Sequence, residues 1–81
     1  MSRRADPQRL RRAFSQNLRA ARAARGWTQE KLAEHSGLSL VFINRVENGV
    51  QAISIDSLQL VSDALGLAAG ALLAESDADS P

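Results

Sequence analysis

The chain has 81 residues, 44% of them hydrophobic and 4% aromatic, and a formal net charge of +1 at pH 7. A chain of this length makes one domain with a modest core, which oligomerisation would help to stabilise. Because it has no cysteine, a disulfide framework and a thiolate metal site are excluded, and a cytoplasmic protein is the simplest interpretation. Its apolar runs are too short for a membrane span, and its Arg-rich start lacks the apolar stretch of a signal peptide.

Charge is distributed unevenly along the chain. Residues 1–25 contain eight Arg and one Asp, whereas residues 51–81 contain five acidic residues and no basic ones. This asymmetry favours a polyanion such as nucleic acid as partner of the N-terminal part, although a basic helix can also be merely solvated. The Ala- and Leu-rich composition, with one Pro near each end, predicts an all-α fold.

Three segments are expected: a flexible basic arm over residues 1–5, a domain over residues 6–73, and a disordered acidic tail over residues 74–81. Asp6 followed by Pro7 is typical of a helix start, with an acidic N-cap and Pro at the first helical position. The first helix should end near Arg25 and Gly26. Its apolar stripe has helical spacing and consists of Leu10, Phe14, Leu18 and Ala21.

Two short helices are predicted between Thr28 and Gly49. Thr28 is a good N-cap for the first of them, and Gly37 should end it in a left-handed conformation. Ser39 should cap the second helix, which Gly49 closes. Two capped helices joined by a glycine turn match the helix-turn-helix unit, whose second helix, here about residues 39–48, enters the DNA major groove.

The second of these helices has one inward face, since Ile43 and Val46 are three residues apart. The opposite face consists of Leu40, Val41, Asn44, Arg45 and Asn48. Exposed apolar side chains at the start of such a helix suit thymine methyl groups, although a slightly rotated helix would bury them. Arg45 is the best candidate for a bidentate contact with guanine, with a phosphate contact or an ion pair as alternatives. Asn44 can reach a base edge or a phosphate.

A fourth helix should begin after Ser54 and end before Gly66, with Leu58, Val61, Ala64 and Leu65 turned inward. A short fifth helix is predicted over residues 68–73, with Ala69 and Leu72 inward. Outward apolar residues near this end are candidates for a dimer interface: Leu60, Leu67 and Leu73.

The segment TQEKLAEHSGLS…INRVENG resembles the phage-repressor and Xre-type (Cro/C1-like) helix-turn-helix family, which includes the controller proteins of restriction-modification systems. The resemblance extends from about Phe14 to Leu73. It implies a compact five-helix bundle, a lambda-repressor-like DNA-binding domain. It also implies a transcriptional regulator that binds a roughly palindromic operator in double-stranded DNA as a homodimer.

The resemblance also implies roles for individual residues. Gln29 matches a family position that hydrogen-bonds a DNA phosphate; a solvated residue in the first turn of the helix is the alternative. Arg22 matches an Arg that pairs with a Glu, here Glu47; two separate surface charges are the alternative. Further candidates for phosphate contacts are Thr28, Asn48, Arg3 and Arg4.

Enzymatic chemistry is not expected, since the chain has no phosphate-binding glycine loop and no nucleophile with a partnered base. His35 is the only histidine, so metal binding would lack ligands, and neither a cofactor nor a small-molecule ligand is expected. Trp27 is interpreted as a structural residue that packs on Leu32 and can contact Arg25 through a cation–π interaction. The competing function is a protein-interaction module, such as an antitoxin-like partner whose Leu40–Val41 patch binds protein.

Overall fold

Five helices follow one another along the chain in a computed structural model that describes residue 6 and residues 8–75. They are α1 (Arg9–Ala24), α2 (Gln29–Ser36), α3 (Leu40–Glu47), α4 (Ile55–Leu65) and α5 (Ala69–Leu73). No strand occurs in these residues, which confirms the all-α prediction. The expected arm (residues 1–5), Pro7 and most of the expected tail (residues 76–81) lie outside the described residues. Within the described ranges, no helix is long and apolar enough to cross a membrane.

The predicted helix caps are present at α2, α3 and α4. Each cap hydroxyl accepts a hydrogen bond from the backbone amide three residues further on, at 3.1 Å for Thr28 and 3.0 Å for both Ser39 and Ser54. These bonds satisfy amides that the helix itself leaves unpaired. Between α2 and α3, Gly37 has a φ of +77°, which favours glycine because other side chains rarely adopt this conformation. The turn of the helix-turn-helix is therefore set locally by its own residues.

The start of α1 differs from the prediction. Asp6 accepts a hydrogen bond from the Gln8 amide at 2.9 Å, and its carbonyl accepts one from the Arg9 amide at 3.0 Å. This turn precedes the α-helix, which begins only at Arg9. The hydrogen bond from the Arg12 side chain, followed in size by that from the Gln8 amide, lowers the pKa of the Asp6 carboxyl below its ordinary value. Asp6 therefore caps this turn and not α1 itself, whose N-cap residue is Gln8, without a side-chain hydrogen bond, so the predicted N-cap was wrong.

All five helices contribute to one apolar core. Its buried members are Phe14, Leu18, Leu32, Ile43, Val46, Leu58, Val61, Leu65 and Leu72. Leu10, predicted to lie on the buried stripe of α1, is 49% exposed instead. It lies at the rim of an apolar cleft beside Ile55 and Leu73, because no helix packs over the first turn of α1 in the described chain.

The end of the domain is held against α1 by polar contacts. Asn17 donates from Nδ2 to the carbonyl oxygens of Leu72 and Ala74, at 2.9 and 2.7 Å. Arg9 forms a salt bridge of 2.8 Å with Glu75. The first two residues of the expected acidic tail therefore contact the first helix.

Candidate nucleic-acid interface

One side of α3 is buried and the other is open to solvent. Ile43, Val46 and Glu47 are buried, which matches the predicted register for the two apolar residues. The opposite surface consists of five side chains that are all exposed to solvent, and we call it the exposed face of α3. Its members are Leu40, Val41, Asn44, Arg45 and Asn48. Val41 is 65% exposed, so the alternative in which a rotated helix buries the apolar residues does not describe this one.

A buried ion pair fixes α3 against α1. Arg22 donates from Nε to one carboxylate oxygen of Glu47 at 2.6 Å and from Nη2 to the other at 3.0 Å. The Glu47 side chain is 0% exposed and that of Arg22 19%. The hydrogen bonds that Arg22 donates to Glu47 are the largest of the causes that raise the pKa of Arg22 above its ordinary value. These are the two residues that the family resemblance pairs.

The same guanidinium also fixes the start of the helix-turn-helix. Arg22 donates from Nη1 to the carbonyl oxygen of Trp27 at 2.7 Å, and Arg19 donates to the carbonyl oxygen of Glu47. The end of α1, the approach to α2 and the end of α3 are thereby tied together. The orientation of the exposed face of α3 follows from these contacts.

Much of the positive charge in and beside α1 is paired with other groups of the same chain. Arg25 donates from Nε to the Leu65 carbonyl at 3.2 Å. Five arginines in or beside α1 contact other protein groups in this way: Arg9, Arg12, Arg19, Arg22 and Arg25. The arginines of the basic N-terminal part therefore serve contacts within the protein, some buried and some at its surface, and are not all available to a polyanion.

Gln29 lies between the buried ion pair and the exposed face of α3. Its Nε2 donates to Glu47 Oε1 at 3.0 Å, and its Oε1 accepts from Asn44 Nδ2 at 3.2 Å. Asn48 Nδ2 in turn donates to Asn44 Oδ1 at 3.2 Å. We call Gln29, Asn44 and Asn48 the amide chain. Nothing in the sequence indicates the amide chain, because Gln29 and Asn44 are 15 positions apart and give no local signal.

The remaining candidates for DNA contacts differ in their surroundings. Arg45 is exposed, and within the described part of the chain its guanidinium has no hydrogen bond or salt bridge. Thr28 is exposed, and its hydroxyl caps α2. Arg3 and Arg4, expected to contact phosphates, lie outside the described residues.

Trp27 packs against the core cluster to which Leu32 belongs. Its ring also stacks on His35, with centroids 4.5 Å apart and planes 13° from parallel, and the Arg25 guanidinium lies 4.9 Å from its centroid. The stack on His35 was not anticipated from the sequence. It uses the single histidine structurally, and the described residues hold no cluster of His, Cys, Asp or Glu that could ligate a metal.

The three candidates for a dimer interface are not equivalent. Leu60 is 44% exposed and Leu67 39%, as expected of residues available to a partner. Leu73 is instead half-buried and packs against the core, so the expectation that it faces outward was wrong. The reason is the close packing of α5 on α1, which places this side chain in the apolar cleft that Phe14 and Leu58 also line.

Comparison with known proteins places this arrangement among helix-turn-helix proteins. A family model described as helix-turn-helix matches residues 18–72. A hypothetical transcription factor of Neisseria meningitidis serogroup B is 37% identical over 68 residues, which are 84% of this chain but only 64% of that protein. The chain therefore spans less than two thirds of that relative.

Solved structures give the same result. The crystal structure of the hypothetical transcription factor NHTF from Neisseria has a TM-score of 0.83 and 32% identity, and the match covers 96% of this chain and 90% of that one. The restriction-modification controller protein C.AhdI from Aeromonas hydrophila has a TM-score of 0.74 and 34% identity, covering 76% and 94%. The family model reaches every helix described above, because the residues that it matches run from α1 into α5.

Proposed function

This chain belongs to the helix-turn-helix family of the Xre and Cro/C1 type, and we propose that it is a DNA-binding transcriptional regulator rather than an enzyme. In this proposal α3 enters the major groove, and two copies bind a roughly palindromic operator. The similarity to a transcription factor and to a controller protein supports it. The observation that carries it is the exposed face of α3.

That face combines the side chains that major-groove recognition needs. Leu40 and Val41 offer apolar surface for thymine methyl groups, and Arg45 offers a fork of donors for guanine O6 and N7. Asn44 adds an amide between them along the helix. The exposed apolar residues of this face have no packing role in the described chain, whereas the floor of the major groove presents partners for apolar and polar side chains alike.

Phosphate contacts would hold α3 in place. The N-terminus of α2, with Thr28 and Gln29, presents backbone amides that attract a phosphate, aided by the helix dipole. Gln29 donates only one of its two Nε2 hydrogens to Glu47, so the other is available for a phosphate oxygen. Asn48 at the end of α3, and Arg3 and Arg4 in the arm, would add further contacts.

The proposal of a dimer rests on the number of base pairs that one recognition helix can contact. A single recognition helix contacts too few base pairs to select a site in a genome. Two-fold symmetry doubles the recognised sequence and places half-site centres about 34–36 Å apart. Leu60 and Leu67 supply the exposed apolar surface for this association, and Leu73 supports it from its half-buried position.

The test is selection of binding sites from random DNA by the full chain, followed by fluorescence anisotropy at increasing salt. We expect one enriched palindromic sequence. We also expect the logarithm of the affinity to fall linearly with the logarithm of the salt concentration, because phosphate binding releases counterions. Val41→Asp should abolish binding, whereas Ala23→Asp, the same charge change at an exposed position of α1, should preserve specific binding. No enriched sequence would favour the protein-interaction module instead.

A further inference from the structure

The amide chain begins at a buried carboxylate, and this determines how its first member is oriented. Both oxygens of Glu47 accept hydrogen bonds from Arg22, so the carboxylate is the charged partner of an ion pair. A carboxylate in this state only accepts hydrogen bonds. Gln29, whose Nε2 lies 3.0 Å from Glu47 Oε1, must therefore turn its NH₂ group toward Glu47 and its oxygen away from it.

The orientation of Gln29 determines the orientation of the next two side chains of the amide chain. Because the oxygen of Gln29 faces Asn44, Asn44 must present its NH₂ group, which it does at 3.2 Å. The oxygen of Asn44 then faces Asn48, whose Nδ2 donates to it at 3.2 Å. A reversed Asn44 amide would set two NH₂ groups against each other and two carbonyl oxygens against each other. The donor–acceptor order at Asn44 is thus determined by Glu47, through Gln29.

Asn44 keeps part of its hydrogen-bonding capacity for a ligand. One of its two Nδ2 hydrogens goes to Gln29, and one of the two lone pairs of its Oδ1 accepts from Asn48. One donor and one acceptor are left on a side chain that is exposed. Adenine presents a matching pair in the major groove, the N7 acceptor and the N6 donor, and asparagine binds both together.

We propose that Asn44 recognises adenine at one position of each half-site, and that Glu47 sets the orientation of the Asn44 amide through Gln29. This rests on the proposed function, in which α3 enters the major groove. An amide with a fixed order fits adenine on one strand and not on the other. The arrangement therefore distinguishes A·T from T·A, and it requires no reorientation of the amide on binding.

Gln29 and Glu47 are positioning residues in this scheme. The free Nε2 hydrogen of Gln29 is still available for a phosphate, so a phosphate contact and the positioning of Asn44 are compatible. The two roles have different consequences for binding. A lost phosphate contact weakens binding to every sequence alike, whereas a lost orientation changes the preference at a single base pair.

The experiment measures binding of the full chain to a panel of selected operators with every base pair substituted in turn. The wild-type protein should prefer adenine at one position of each half-site by about 5- to 150-fold, and Asn44→Ala should remove this preference there only. Gln29→Leu should reduce the preference for A·T over T·A at that position several-fold. As a control, Asn48→Ala should weaken binding across the panel but keep this preference, because the orientation of the Asn44 amide is set by Glu47 through Gln29 and not by Asn48.

Three results would overturn the inference. The first is unchanged discrimination at every position in Asn44→Ala, and the second is an equal loss across the whole panel in Gln29→Leu. The third concerns the free wild-type protein, in which the side-chain amide protons of Gln29 should exchange with solvent more slowly than those of exposed Gln16; equal rates would show that Glu47 does not hold Gln29. A wild-type chain that selects no DNA site overturns the proposed function itself, which is a distinguishable outcome.

Discussion

Arg22 and Glu47, 25 residues apart in the chain, meet through two hydrogen bonds of 2.6 and 3.0 Å. Glu47 is on the inner side of α3 and is completely buried, whereas Arg22 on α1 keeps slight contact with solvent. The carboxylate also accepts from Gln29. The buried carboxylate of Glu47 therefore contacts α1 through Arg22 and α2 through Gln29, and Gln29 in turn contacts Asn44 on the exposed face of α3.

Removal of Arg22 alone should be strongly destabilising. Arg22→Ala leaves the buried carboxylate of Glu47 without its charge partner, which should lower the free energy of unfolding by about 3–5 kcal/mol. Urea unfolding at pH 7 measures this loss. The double variant Arg22→Met, Glu47→Leu removes both charges and should recover much of the stability. A loss below about 1 kcal/mol in Arg22→Ala would show that the pair is solvated.

Arg45 should contribute to specificity more than to general affinity. Arg45→Ala should cost about 1–3 kcal/mol at the selected operator and much less on random DNA, because a bidentate contact with guanine is lost. Anisotropy titrations on both DNAs measure the difference. Lys31→Ala removes the same charge from an exposed position of α2, and should not reduce the ratio of specific to random affinity. Equal losses on both DNAs for Arg45→Ala would assign Arg45 to a phosphate.

Val41, exposed and apolar, should recognise a thymine methyl group. An operator with deoxyuridine in place of that thymine should bind the wild-type protein more weakly, since the methyl group is absent. The variant Val41→Ser should bind both operators equally, because it has lost the apolar partner of the methyl group. If no deoxyuridine substitution weakens wild-type binding, Val41 has no thymine contact and its exposure needs another explanation.

Leu60 provides the sharpest test of the dimer. Leu60→Lys adds a charge to an exposed apolar residue of α4, and should give a folded monomer in sedimentation experiments with greatly reduced operator affinity. Ala23→Lys, the same charge change at an exposed site of α1, should remain dimeric. Leu73 is unsuitable for this test because its side chain packs against the core. A wild-type monomer that still binds its operator tightly would contradict the dimer.

Asn17 should stabilise the end of the domain. In Asn17→Ala the carbonyls of Leu72 and Ala74 lose their shared donor, and loss of these two hydrogen bonds should cost about 1–2 kcal/mol. Hydrogen exchange should accelerate in α5, which has only five residues and depends on tertiary contacts for its stability. The exposed neighbour Gln16 provides the control, since Gln16→Ala should leave exchange in α5 unchanged. Equal exchange in both variants would assign the stability of α5 to its apolar packing on the core.

Local chemistry made most of the architecture predictable. Ser39 and Ser54 cap helices because a hydroxyl next to unpaired amides accepts from them in any fold. Gly37 ends α2 because its left-handed backbone conformation disfavours other residues. The exposed face of α3 followed from helical spacing, which depends only on the geometry of the helix itself.

Other features required the assembled helices. Leu10 shares the spacing of Phe14 and Leu18, but it is 49% exposed because, among the described residues, no helix packs over the first turn of α1. Leu73 was expected to face outward, and the packing of α5 on α1 turned it inward.

The amide chain likewise joins Gln29 on α2 to Asn44 on α3. The sequence by itself determined the helices, the caps of α2, α3 and α4, and the outward side of α3, since these depend on neighbouring residues. Only the tertiary structure decided which side chains are covered and how the amides are oriented, because both depend on contacts between residues far apart in the chain.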